Sequence, residues 1–183
     1  MDELDETLMV AAGRGDGGAL ALLFFRHRDG VHAFARRFLG HAEDAADVVQ
    51  DAFRYLHRTA ASYVPAAKFT TYLYRIVKHL CIDILRRRGR WKLQSLDPAR
   101  DYDGPNHVPS PALEGEELRD RVKEALAELP APAREVVLLR VVHGMSYAEI
   151  AVSAGLPLGT VKSRLHAGLE HLRLAIRRRR LLE

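Results

Sequence analysis

Lys162, Ser163, Arg164 and His166 stand close together just after a turn signal, in the segment SYAEIAVSAGLPLGTVKSRLHAGLEHL (146–172). Side chains of these types donate hydrogen bonds to phosphate oxygens and to base edges. The elements that must position them read as two helices joined by a tight turn. Ser146 and Glu149 form an S-x-x-E capping box that opens the first helix. Tyr147, Ile150, Ala151 and Ala154 give that helix one apolar face. Gly155 supplies the backbone freedom of the turn, and Pro157 and Gly159 stop the first helix from continuing. Val161, Leu165, Leu169, Leu172 and Ile176 then recur at helical spacing. They turn Lys162, Ser163 and His166 outward, with Thr160 and Arg164 nearer the flanking phosphates. The pattern predicts a helix-turn-helix whose second helix lies in a DNA groove.

Composition sets the frame around this segment. The chain has 183 residues, enough for one large domain or two small ones, and 48% of them are hydrophobic. The net charge is +4, which is compatible with a polyanionic partner without requiring one. Its distribution is more specific. Arg86, Arg87, Arg88, Arg90 and Lys92 form one basic block; Lys162, Arg164, Arg173 and Arg177 to Arg180 form another. Between them the stretch 93–117 is acidic. Cys81 is the single cysteine, so no disulfide can close within the chain, which fits a reducing cytoplasm. No signal peptide is visible, and no apolar run approaches the ~20 residues that span a bilayer. No membrane insertion is expected. H-E-x-x-H and C-x-x-C are missing from the sequence, and the glycines at 13–18 are on no strand-to-helix turn of the phosphate-binding kind, so neither an enzyme nor a bound metal or cofactor is expected.

The rest of the chain reads as helical. Leu4, Leu8, Met9 and Ala12 mark an opening helix, broken by Gly13, Gly15, Gly17 and Gly18. Leu20, Leu23 and Phe24 mark a second helix. Val31, Phe34, Ala35 and Phe38 mark a separate third, ended by Gly40. Ala45, Val49, Ala52, Phe53 and Leu56 stripe a helix whose opening acids, Glu43 and Asp44, suit the positive end of its dipole. Pro65 lies in a loop. A long helix follows, with Phe69, Leu73, Ile76, Val77, Leu80 and Ile84 on one face and the first basic block at its end. Four prolines between Gly89 and Pro111 predict a linker. Leu118, Val122, Ala125, Leu126 and Leu129 begin a second helical domain, Pro130 and Pro132 interrupt it, and the run 134–142 leads into the helix-turn-helix. The expected fold class is all-α: two small helical domains, 1–90 and 115–183, joined by an acidic, proline-containing linker at 91–114.

Three segments occur in an order that points to a family: HAEDAADVVQDAFRYLHR, then FTTYLYRIVKHLCIDILRRR, then LPAPAREVVLLRVVHGMSYAEIAVSAGLPLGTVKSRLHAGLEHLR. Together they resemble the extracytoplasmic-function (ECF) sigma factors, the minimal branch of the bacterial housekeeping-sigma superfamily. The resemblance covers about 20–88 and 117–173. It implies a dissociable subunit of RNA polymerase that directs promoter-specific initiation and helps to melt the promoter. Core RNA polymerase and promoter DNA are the implied partners. Many members of the family are held inactive by an anti-sigma factor, a candidate third partner. The implied location is the cytoplasm, on the nucleoid when in holoenzyme.

Residue by residue, the resemblance implies a polymerase-binding helix at 44–56, with Asp44, Asp47, Gln50, Asp51, Phe53 and Arg54 as contacts. The loop 63–68 matches the place where the family captures a flipped base of the −10 element, which implicates Tyr63, Ala66 and Lys68. Beside it, Phe69, Tyr72, Arg75, Lys78 and His79 interleave rings and cations. Rings stack on exposed bases and cations hold phosphates, a mixture suited to single-stranded DNA. Arg86 and Arg87 extend this set. Phe69, taken alone, fits the core better than a base platform. The −35 element falls to Thr160, Lys162, Ser163, Arg164 and His166. Tyr72 stands where the family usually has Trp, and His79 where it usually has Asn, so the preferred −10 sequence is expected to differ. The alternative is a free-standing helix-turn-helix regulator, which would need a dimerisation surface for two-fold half-sites.

Overall fold

The computed structural model describes residues 4–89 and 116–180, with side chains at 4–89 and 122–178. The expected linker, 91–114, lies outside the described residues, as do the side chains of Arg179 and Arg180. Every regular element among the described residues is a helix. They group into two units divided between Arg88 and Gly89.

The first unit contains α1 (Asp5–Gly13), α2 (Gly17–Leu39), α3 (Ala42–Thr59), a 3-10 turn (Ala60–Ser62) and α4 (Phe69–Arg87). The two helices expected between Leu20 and Phe38 are one helix of 23 residues. No proline or cap interrupts Phe25 to Gly30, and a glycine inside a helix costs only about 1 kcal/mol. Burial of Leu23, Val31, Phe34 and Phe38 outweighs it. Gly17 and Gly18 are likewise the first turn of α2 rather than a break. Asp16 caps that turn, accepting from the Ala19 N–H at 3.1 Å. The core gathers Leu8 and Met9 of α1, Leu56 of α3, and Phe69, Leu73, Val77 and Cys81 of α4. Phe34 stacks on Phe38 and meets the edge of Tyr74. Burial pushes the Tyr74 hydroxyl well up from its ordinary value.

The second unit contains α5 (Glu116–Glu128), α6 (Ala131–Val141), α7 (Tyr147–Ala154) and α8 (Leu158–Arg180). Pro132 lies in the first turn of α6, where a missing N–H costs nothing, so it starts a helix rather than interrupting one. Arg134 bridges the α5–α6 corner by donating to the carbonyls of Ala127 (2.6 Å) and Leu129 (2.8 Å). The capping box of α7 is complete: Ser146 Oγ accepts from the Glu149 N–H at 3.2 Å, and Glu149 Oε2 accepts from the Ser146 N–H at 2.8 Å. Gly155 closes α7 in the left-handed conformation, with φ 66° and ψ 40°. Val161 and Leu165 are buried as the spacing requires. Farther along α8, Gly168 and Ala175 are buried, whereas the expected Leu169, Leu172 and Ile176 are only half-buried. A Cβ on Gly168 would lie 2.7 Å from Val137 Cγ2. Among the described residues, no helix is long and apolar enough to cross a membrane.

The two α8 glycines give a paired stability test. Gly168→Ala forces a methyl against a stiff β-branched side chain and should cost about 1–3 kcal/mol. Gly159→Ala meets open space in the first turn of the same helix and should gain up to about 1 kcal/mol. Urea unfolding of the two variants should displace the midpoint in opposite directions.

Candidate nucleic-acid interface

The loop between α3 and α4 begins at Tyr63 and runs to Lys68. Tyr63 is half-buried, and its ring lies 5.2 Å from that of Tyr72 at a tilt of 50°. Thr59 Oγ1 donates to the Tyr55 carbonyl at 2.9 Å, which uses its one proton. The Tyr72 hydroxyl, 3.3 Å away, is therefore the donor to Thr59 Oγ1. The Tyr63 hydroxyl oxygen is buried without a protein partner. Burial pushes its pKa up, and the charge of Glu6 adds to the effect. Residues 64–68, Ala66 and Lys68 among them, are exposed at the tip. Arg75 and His79 are exposed one and two turns along α4 from Tyr72. The structure thus brings Tyr63, Tyr72, Arg75 and His79 beside one exposed loop.

Four residues expected in this set are placed differently. Phe69 is fully buried and Lys78 is 6% exposed, so neither faces a strand crossing the others. Thr71, Tyr74, Lys78 and Ile82 are all buried, and the buried arc of α4 is therefore wider than its apolar stripe. Arg87 faces away from the loop into a groove against α3. Arg86 is exposed and lies 3.6 Å from Asp83, some 20 Å from Tyr72 at 1.5 Å per residue.

The α3–α4 groove has a volume of about 460 Å³. Asp44, Asp47, Gln50, Asp51 and Arg54 line it from α3; Ile84, Arg87 and Arg88 line it from α4. Arg88 pairs with Asp44 at 2.6 Å, and Arg54 with Asp51 at 2.8 Å. Acids at the start of α3 and arginines at the end of α4 each suit the local helix dipole. Phe53 does not belong to this surface. It is buried and packs edge-on against Phe24, with ring centroids 5.0 Å apart. Arg88 was visible in the sequence only as part of a basic block; its partner is 44 residues away.

On α8, His166 is exposed, whereas Thr160, Lys162, Ser163 and Arg164 are half-buried. The Ser163 hydroxyl donates to the Thr160 carbonyl at 3.1 Å, which leaves its lone pairs to accept from a ligand. Arg164 has its Nε enclosed without a protein acceptor. The α6–α7 turn that presents α7 and α8 is held by Arg140, which donates to the Met145 carbonyl at 3.0 Å and lies over the Tyr147 ring. No sequence spacing marks that contact.

Residues 23–90 match the family described as Sigma-70 region 2, and residues 119–172 the family described as Sigma-70, region 4. The ECF RNA polymerase sigma-E factor of Escherichia coli is 32% identical over 179 residues, covering 91% of both chains. This chain belongs to the ECF sigma factors. The ECF RNA polymerase sigma factor SigE of Mycolicibacterium smegmatis is 37% identical over 151 residues, 81% of this chain and 58% of that one. Among solved structures, CnrH in complex with the cytosolic domain of CnrY aligns with a TM-score of 0.71 at 27% identity, over 94% of this chain and 96% of that one. The protein is thus an alternative sigma factor for promoter-specific transcription by RNA polymerase, and not an enzyme. A free-standing regulator would not carry region 2. In this sigma factor region 2 contains α4, the loop before it and the α3 groove, and region 4 contains the helix-turn-helix.

The Tyr63 hydroxyl offers a direct check on the loop geometry. A buried O–H without an acceptor costs about 1–3 kcal/mol, so Tyr63→Phe should leave thermal stability unchanged or raise it. A clear fall in Tm would reveal a partner that this arrangement lacks.

Proposed function

We propose that the two units divide promoter recognition between them. Under this reading, 1–90 binds core polymerase and opens the −10 element, 91–114 connects, and 115–183 reads the −35 element. The observation that carries it is the exposed loop 64–68 beside the Tyr63–Tyr72 pair, Arg75 and His79. Unstacking a base costs a few kcal/mol. Stacking on an aromatic ring returns about 1–3 kcal/mol per base, and neighbouring cations hold the phosphates. Two tyrosines in contact supply the rings, and Arg75 and His79 the cationic groups.

The α3 face supplies the polymerase contact. Surface ion pairs such as Arg54–Asp51 contribute little to stability, so their charges are free to act in orientation and partner choice. The sigma factor works in the cytoplasm and sits on the nucleoid when in holoenzyme. An anti-sigma factor is a further partner in this reading. The structural neighbour CnrH was solved with the cytosolic domain of another protein.

Reversing charge at Asp51 together with Gln50→Ala should weaken core binding by about tenfold or more, equivalent to about 1.4 kcal/mol. Circular dichroism should show unchanged helix content. Wild-type recovery in a core-polymerase pull-down would refute the assignment of α3.

On α8, base contacts and phosphate contacts fail differently. Lys162→Ala or His166→Ala should change preference at one −35 position by about 1–3 kcal/mol. Arg164→Ala should lower transcription from every promoter alike and reduce the salt slope by about one. Holoenzyme selection from a randomised −35 library reads both. An unchanged motif for Lys162→Ala and for His166→Ala would mean that another face of α8 meets the bases.

A further inference from the structure

The N-terminal helix α1 touches the elements that flank the loop 63–68 on both sides. At the near end, α1 abuts the 3-10 turn so closely that a Cβ on Gly13 would overlap the Ala60 carbonyl oxygen. At the far end, Glu6 Oε1 accepts the backbone N–H of Phe69 at 2.6 Å. Lys68, the N-cap residue of α4, makes no side-chain cap of its own. A carboxylate 63 residues earlier takes that place. The first N–H groups of a helix have no partner within it, and negative charge is favoured there. A bond to an ionised acceptor is also stronger than a neutral one.

α1 is in turn fixed to α2. Asp5 Oδ1 accepts from Arg26 Nη1 at 2.9 Å, and Asp5 Oδ2 lies 2.6 Å from His27 Nε2. The His27 ring is 5.3 Å from that of Phe69. Asp5, Glu6, His27 and Phe69 therefore form one cluster where the loop meets α4, and the charges of Glu6 and Asp5 act on the Tyr63 hydroxyl.

We infer that Glu6 is a positioning residue for −10 recognition: by capping α4 from another helix, it holds Tyr63, the loop tip and Tyr72 in the arrangement that receives an unstacked base. This rests on the reading of the loop as the −10 site. Glu6 does not touch DNA in this scheme. It acts through the Phe69 N–H, which fixes where the loop ends and where α4 begins.

Full-length Glu6→Ala, Glu6→Gln and Tyr72→Ala proteins, each assembled with core polymerase on a mapped promoter, test the inference. Three quantities are read: core affinity, the rate of thymine reactivity to permanganate, and the −10 motif selected from a randomised library. Glu6→Ala should keep wild-type core affinity, open the promoter roughly five- to tenfold more slowly and broaden the −10 motif. Glu6→Gln should recover most of the loss, because its amide oxygen accepts the same N–H. Wild-type opening by Glu6→Ala would overturn the inference. So would no recovery in Glu6→Gln, or a loss of core affinity equal to the loss of opening, which would mark a general structural role. If Tyr72→Ala slows opening and Glu6→Ala does not, the inference fails and the −10 reading stands. If Tyr72→Ala also opens at the wild-type rate, the −10 reading fails and takes the inference with it.

Discussion

Burial of Phe69, Leu73, Val77, Cys81 and Leu85 fixes the rotation of α4 about its own axis. These residues recur every fourth position, so one stripe runs the length of the helix into the core. The neighbouring Thr71, Tyr74, Lys78 and Ile82 are buried too. What remains outside is a strip carrying Tyr72, Arg75, His79, Asp83 and Arg86. In the proposed reading, a ring or cation of α4 can serve single-stranded DNA only if it lies on that strip. Rotating α4 by one residue would bury Arg75 and expose apolar stem, a change that close-packed interiors resist.

The same rotation sets the second surface. With the stripe inside, Ile84, Arg87 and Arg88 turn toward the polar face of α3. Helix dipoles favour this charge layout, with acids at the start of α3 and arginines at the end of α4. The Arg54–Asp51 pair is solvent-exposed and does little for stability, whereas the Asp44 carboxylate held by Arg88 is only 14% exposed. In the proposed reading their value lies in the field they present to a partner. The loop before α4 is constrained differently: its ends are held by a backbone approach at Gly13 and a carboxylate at Glu6, not by apolar burial.

In the C-terminal unit the controlling contacts are small. Gly155 permits the left-handed turn, and Gly168 lets α8 approach α6 at Val137. Together with Val161 and Leu165 in the core, they decide which side of α8 stays at the surface. Arg140 completes the support by bonding the chain at Met145 and covering Tyr147.

Much of this was legible in the sequence because it is local. Capping boxes, glycine turns and apolar periods of 3.6 act within a few residues, so the helix-turn-helix and the stripes of α3 and α4 could be read directly. Family resemblance added the roles proposed for the segments. Local signals failed where packing overrode them. Glycines that read as breaks lie within α2 because Asp16 caps it and its apolar face is buried. Phe53, Phe69 and Lys78 read as contacts but are buried, since a single-helix pattern does not show how many neighbours surround that helix. Glu6 to Phe69 and Asp44 to Arg88 could come only from the tertiary structure. Each joins residues with no periodic relation, and a hydrogen bond depends on where the backbone has been carried, not on how far apart two residues lie along it.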